Sequence, residues 1–299
     1  MNQNTIAANP EAGCSALRRA AAATDAYAPA MLNIGWIAFA VSMLGLGMLG
    51  FITGDFALNW QPVPAGVPGR TALAYVTAAL FWTLGAGLLF DRFKYSFAIA
   101  TAVAFLVWAI VLHGPGVVGD PLNVLPWLGF TERLQVAAGA LMLATTQVPG
   151  TPFARWGMLI GKIGFGVSLP VYGLSHWAYP QFTADMIPAF IPAHLFWAYF
   201  TGGAHLAAGI AFLTNVLVRL ASVLFAVMVS GFVLLLHLPR TIGEPGSRAE
   251  WTMIVIALTI TAAAWCAAGS LARGKPAGAA TAFTGDDLEL AQKARKATL

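Results

Sequence analysis

"IGWIAFAVSMLGLGMLGFITGDFALNWQP" (residues 34–62) returns in altered form as "IGKIGFGVSLPVYGLSHWAYPQFTADMIP" (residues 160–188). At an interval of 126 residues Ile34/Ile160, Gly35/Gly161, Phe39/Phe165, Ser42/Ser168, Gly47/Gly173, Phe56/Phe182 and Pro62/Pro188 are identical. A gap of two residues shifts the interval to 124, and Pro68/Pro192, Tyr75/Tyr199, Gly85/Gly209, His113/His237 and Pro115/Pro239 then agree. Shared apolar composition yields chance matches of Ala and Leu. It is a poor source of matched Pro, Tyr and His at a steady interval, so the reading is a tandem duplication.

The chain of 299 residues is 59% hydrophobic and only 9% charged, with a mean hydropathy of +0.74. A soluble domain carries about 25% charged residues, so the class is a polytopic all-α membrane protein. Apolar runs long enough to cross a bilayer fall at about 32–53, 71–90, 95–113, 132–148, 157–178, 194–214, 217–238 and 251–271. Each copy of the repeat then holds four spans. Four is even, so the two units enter the membrane the same way and form two parallel four-helix repeats. The expected organisation is an N-terminal tail over 1–30, units over 31–150 and 151–271, and a charged tail over 272–299.

Net positive charge here sets topology and gives no sign of nucleic-acid binding. With the N-terminus inside, Arg18, Arg19, Arg92, Lys94, Arg155, Arg219 and five basic residues of the C-terminal tail lie on the inner side. Arg70, Arg133, Arg240 and Arg248 are left outside. The positive-inside rule therefore places both termini in the cytoplasm, in a cell inner (plasma) membrane. The two cysteines, Cys14 and Cys266, form no metal-binding or redox motif. "GLGMLG" (residues 45–50) lies inside an apolar span with no preceding strand, and reads as helix-packing glycine, not a dinucleotide fingerprint.

The order of a small-residue first span, "GDFALNWQPVPAGVPGRTALAYVTAAL", and third spans ending "LHGP" and "LHLPR" resembles the DoxX-like membrane proteins. The second half, "GLSHWAYPQFTADMIPAFIPAHLFWAYFTGGAHLAAGIAFLT", carries the stronger resemblance. It implies a four-helix unit, here in tandem over residues 32–271, and a link to thiosulfate:quinone chemistry. A quinone is the cofactor compatible with it. Haem is disfavoured, because no histidine is identifiable as an axial partner for His205.

The two halves serve as each other's control. Trp36 is matched by Lys162, Gly50 by His176, Arg70 by His194 and Phe81 by His205. Four of the five histidines fall in the second half. His194 and His205 are eleven residues apart and share one face of a helix, about 16 Å apart along it. The candidate ligand-binding residues are therefore His176, His194, His205, His237, Tyr199 and Lys162, around a pocket opening to the outer side. No catalytic residue and no metal set is identified. The plain alternatives are histidines that anchor helix ends, an interhelical hydrogen bond from His205, and a Lys162 that reaches back to the membrane surface.

Three functions fit. One is a quinone- or sulfur-linked redox membrane subunit, which calls for a redox partner subunit because no electron-carrier motif is present. A second is a carrier or binding protein for a small or lipidic molecule. The third is a structural or assembly subunit without a ligand. The topology is open to a direct test in a Cys14→Ser background. Cysteines placed at Gly119 and Gly278 are expected to be labelled by a membrane-impermeant maleimide from opposite sides. Labelling of both from outside would reject the orientation.

Overall fold

The computed structural model describes residues 24–272, so the expectations for most of the two tails fall outside the described residues. Every described element is helical. In a bilayer that follows from the backbone, since an apolar segment there must satisfy its own N–H and C=O groups. The membrane-length helices are α1 (Ala28–Thr53), α2 (Arg70–Leu88), α3 (Asp91–Gly119), α4 (Val124–Thr145), α5 (Pro152–Ala178), α7 (His194–Thr214), α8 (Val218–Gly243) and α9 (Arg248–Ala272). A six-residue helix, α6 (Pro180–Asp185), lies in the α5–α7 connection. Seven of these helices, all but α4 and α6, are long and apolar enough to cross a membrane. Their outward faces carry bare apolar side chains, such as Ile52, Val76, Ile110 and Ile210, each more than half exposed. That is the surface a lipid environment accepts and water does not.

α4 departs from the sequence expectation. It begins at Val124, where the Asn123 side chain accepts a hydrogen bond from the Leu125 N–H at 3.0 Å. The helix therefore starts eight residues before the apolar run begins. Glu132, Arg133 and Gln135 become interior helix positions, and Arg133, expected in an outer loop, is 2% exposed.

The helices pack as a closed circuit: α1 on α2, α2 on α3, α3 on α4, α4 on α5, α5 on α7, α7 on α8, α8 on α9, and α9 back on α1. α4 and α9 also cross through the middle. Two lobes result, α1–α3 on one side and α5–α8 on the other, sharing α4 and α9 as a central wall. Small residues make the crossings close. A Cβ on Gly139 would lie 2.6 Å from the Cβ of Ala263, which stands 124 residues further on. Gly35 meets the Cys266 backbone, and Gly161 meets Met142.

Local features recur at the same interval. π turns at Ala109–His113 and Val233–His237 stand 124 residues apart. Each is followed by a short helix with proline near its start, Gly114–Gly119 and Leu238–Gly243. Proline brings no N–H and crowds the carbonyl four residues back. A widened turn lets the chain continue past it. The indole of Trp127 donates to the Pro121 carbonyl at 2.9 Å, and that of Trp251 to the Pro245 carbonyl at 2.8 Å.

The 54–69, 120–123, 179–193 and 244–247 connections share one end of the bundle, the long-loop end. There Asp55 joins three helices. Arg70 at the start of α2 pairs with it, and Arg248 at the start of α9 does so at 3.2 Å. Burial pushes the Asp55 carboxyl up, but the Phe56 N–H and the two guanidiniums outweigh it and hold the group below its ordinary value.

The lobe interfaces depend on glycine in matched places. A Cβ on Gly173 would lie 2.6 Å from the Gly202 carbonyl oxygen, and one on Gly47 would lie 2.7 Å from that of Ala78. Gly173→Ala is expected to cost about 1–3 kcal/mol by forcing α5 from α7. Gly203→Ala, whose new carbon would have its nearest neighbour at 3.9 Å, should leave stability unchanged or raised. Thermal unfolding in detergent reads both; equal effects would show that close approach does not hold the lobe.

Candidate ligand cavity

The first lobe is filled by aromatic rings. Phe81 of α2 packs on Trp108 of α3 at 4.7 Å and on Phe105 at 6.1 Å, and Trp60 packs on Phe105 at 5.4 Å. A hollow of only about 10 Å³ remains beside Phe81. At the interval of 124 the second lobe carries His205, Val229 and Phe232 in place of Phe81, Phe105 and Trp108. Each substitution is smaller, and all three residues line a cavity of about 720 Å³. This volume lies within the range of small-molecule sites, about 300–1,000 Å³.

The wall is mostly apolar. Leu128 of α4, Met228 and Leu235 of α8, and Met253 and Ile260 of α9 contribute to it. Met186 and Ile187 of the α5–α7 connection line it at the long-loop end. A small set of polar side chains interrupts this surface. Tyr172, His176, Thr201, His205, His237 and Glu132 all reach it.

Their geometry is specific. His205 Nδ1 lies 2.7 Å from the Thr201 carbonyl oxygen, one turn back on α7. His176 Nδ1, on α5, lies 2.9 Å from the Thr201 hydroxyl. The two imidazoles stand edge to face, 5.0 Å between centroids, and Tyr172 packs on His205 at 5.6 Å. The Tyr172 hydroxyl and His237 Nδ1 are buried without a partner. A buried polar group without a partner costs about 1–3 kcal/mol, and both of these groups sit in the wall of the cavity.

Behind the cavity stands an ion pair that the sequence reading passes over. Glu132 Oε2 takes hydrogen bonds from Arg133 at 2.7 Å and from the Trp60 indole at 3.1 Å. Arg133 also donates to the Gly129 carbonyl at 2.6 Å and the Trp60 carbonyl at 3.2 Å. Its guanidinium lies over the Trp60 ring, 4.8 Å from the centroid. His113 reaches the same Trp60 carbonyl at 3.3 Å. The first lobe thus anchors a pair whose carboxylate faces the second lobe's cavity. The signal in the sequence is a Glu-Arg dipeptide inside a helix-length segment of low charge. Its placement at a span boundary hid it.

Three of the six candidate residues, His176, His205 and His237, line the one cavity. The other three lie elsewhere. His194 is the first residue of α7, about three turns from His205, and is not part of the cavity lining. Tyr199 is half exposed on the outward face of α7. Lys162 is on α5, toward the opposite end, and donates to Asn215 at 2.8 Å. Its long chain carries the ammonium to the end of α7, where it is less costly than in the apolar interior. Among the described residues no cluster of three metal-ligating side chains occurs.

Residues 157–238 match the family model described as DoxX. This segment is similar to DoxX, and the long apolar helices around it are those of a membrane protein. The matched segment runs from α5 into α8, and it supplies Tyr172, His176, His205 and His237. Glu132 and the rest of the α4 wall lie before the DoxX segment. Comparison with curated proteins and with solved structures gives no significant match.

The ion pair makes a stability prediction. Arg133→Met leaves the Glu132 carboxylate buried without its cation and should destabilise the protein by about 3–5 kcal/mol. Adding Glu132→Gln should restore much of that loss. Additive losses in the double variant, read by thermal unfolding, would show that the two residues act separately.

Proposed function

We propose that this DoxX-like protein binds a lipophilic ring compound of the quinone class in the second-lobe cavity, as a quinone-linked redox component of the plasma membrane. The observation that carries the reading is the cavity's division of chemistry. A largely apolar chamber of about 720 Å³ suits a hydrocarbon tail, and one cluster of hydrogen-bonding groups around His205 and Tyr172 suits a polar head. The electrons of a redox role would pass through a partner subunit.

The same proposal includes the architecture. α4 crosses the membrane as an eighth span, with its charges paired and turned inward. The units over 31–150 and 151–271 are parallel copies related by an axis near the membrane normal, and both termini are cytoplasmic. The matched π turns and indole contacts support this. So does the meeting of Gly139 with Ala263, since a residue touching its own counterpart is what a two-fold axis requires. On this reading the first unit became scaffold, and the second unit opened a site by exchanging rings for smaller or polar side chains.

His205→Phe restores the residue found at position 81 and should fill the polar end of the cavity. Retention of decylubiquinone by the purified protein is expected to fall about tenfold or more, because the phenyl ring takes up space that the head group needs. His194→Ala, outside the cavity, should retain the quinone. Equal retention by wild type and His205→Phe, with both folded, would reject the site.

A further inference from the structure

The hydrogen-bond partners fix which nitrogen of each cavity histidine carries the proton. Neutral imidazole has one N–H and one lone pair. His205 Nδ1 faces a carbonyl oxygen, which only accepts, so Nδ1 is the donor and Nε2 holds the lone pair. The Thr201 hydroxyl spends its own proton on the Trp197 carbonyl at 2.8 Å. It must therefore accept from His176 Nδ1, and again Nε2 is left with the lone pair. A charged imidazole would be costly at this depth, and two side by side would also repel. No hydrogen bond of ordinary geometry reaches either Nε2 among the described residues, and the one further contact of His176 is to the Ala198 backbone carbonyl, which like the Thr201 hydroxyl takes a proton from the ring. Glu132 follows the same pattern. Both donors to it converge on Oε2, so Oε1 is free to accept.

Resting on the cavity as a ligand site, we propose that it selects molecules whose polar head donates hydrogen bonds: a hydroquinone or another phenol, in preference to the quinone or an ether. Three polar groups of the cavity, His176 Nε2, His205 Nε2 and Glu132 Oε1, are acceptors. A quinone ring offers only carbonyl acceptors, and set against these it would leave lone pairs facing lone pairs. A hydroquinone offers two O–H donors. Tyr172 and His237, each with an unpartnered polar atom, can serve either way, and the Tyr172 hydroxyl completes the head-group site by donating to a phenol oxygen. The selectivity arises from Thr201, which sets both tautomers from a single residue.

The test uses two pairs of probes on the full-length protein in detergent: 4-nonylphenol against its methyl ether, and decylubiquinol against decylubiquinone under anaerobic conditions. Intrinsic tryptophan fluorescence or calorimetry reads the affinity. In each pair the hydroxyl-bearing member is expected to bind about tenfold tighter, the cost of leaving buried acceptors unmatched. His205→Phe should reduce that ratio toward one. His176→Leu should lower it as well, which covers the case in which the first variant fails to fold. Binding of both members of each pair with equal affinity, or tighter binding of the quinone, overturns the selectivity and leaves the ligand site standing. Failure of all four probes to bind overturns the ligand site itself, and the selectivity with it.

Discussion

The meeting of α4 and α9, with no side chain on Gly139 to hold it off Ala263, is the constraint around which the other helices are arranged. In lipid, helices gain little from burying apolar surface against one another, and close approach through small residues replaces that drive. The alanine-rich stretches that follow, Ala137–Ala140 in α4 and Ala262–Ala264 in α9, are buried for the same reason. A thin central wall leaves each lobe to be filled by its own three long helices. Whether a lobe is solid or hollow then depends on the side chains those helices point inward. The first lobe points Phe81, Phe105 and Trp108, and the α1–α2 connection adds Trp60. The second, with less to offer at the same places, keeps a chamber.

Much of the fold was legible because the bilayer simplifies the problem. Long apolar runs become helices, and their glycines mark where helices touch. The boundary of α4 was not legible from hydropathy, because Glu132 and Arg133 look like an interface when they are counted as charges. Their mutual pairing, and the indole and carbonyl of Trp60, make the pair tolerable inside. The partner that explains them is more than seventy residues away in sequence.

The lining of the candidate cavity was legible in part. Setting Phe81 against His205 pointed to the second lobe, and His176, His205 and His237 do share its cavity. The same comparison at Phe105 and Val229 would have pointed to missing volume, but one ring exchanged for a smaller chain says little by itself. The space is the sum of several such exchanges on different helices. His194 shows the limit of a face argument. Residues on one stripe of a helix point the same way at different depths, and the cavity occupies only some of those depths. Tyr199 and Lys162 were drawn in by residue type, while their positions turn them to the lipid-facing side and to the far helix end.

The methionines of the cavity wall carry a consequence of their own. Met186, Met228 and Met253 come from three different elements, and their unbranched thioether chains change rotamer at little cost. A wall of this kind moulds itself to its contents. On the proposed function, recognition is concentrated at the rigid end, where Thr201 holds two imidazoles in fixed orientation, and the remainder of the chamber is tolerant. Tails that differ in length or branching would be received alike, so long as the head they carry is the right one.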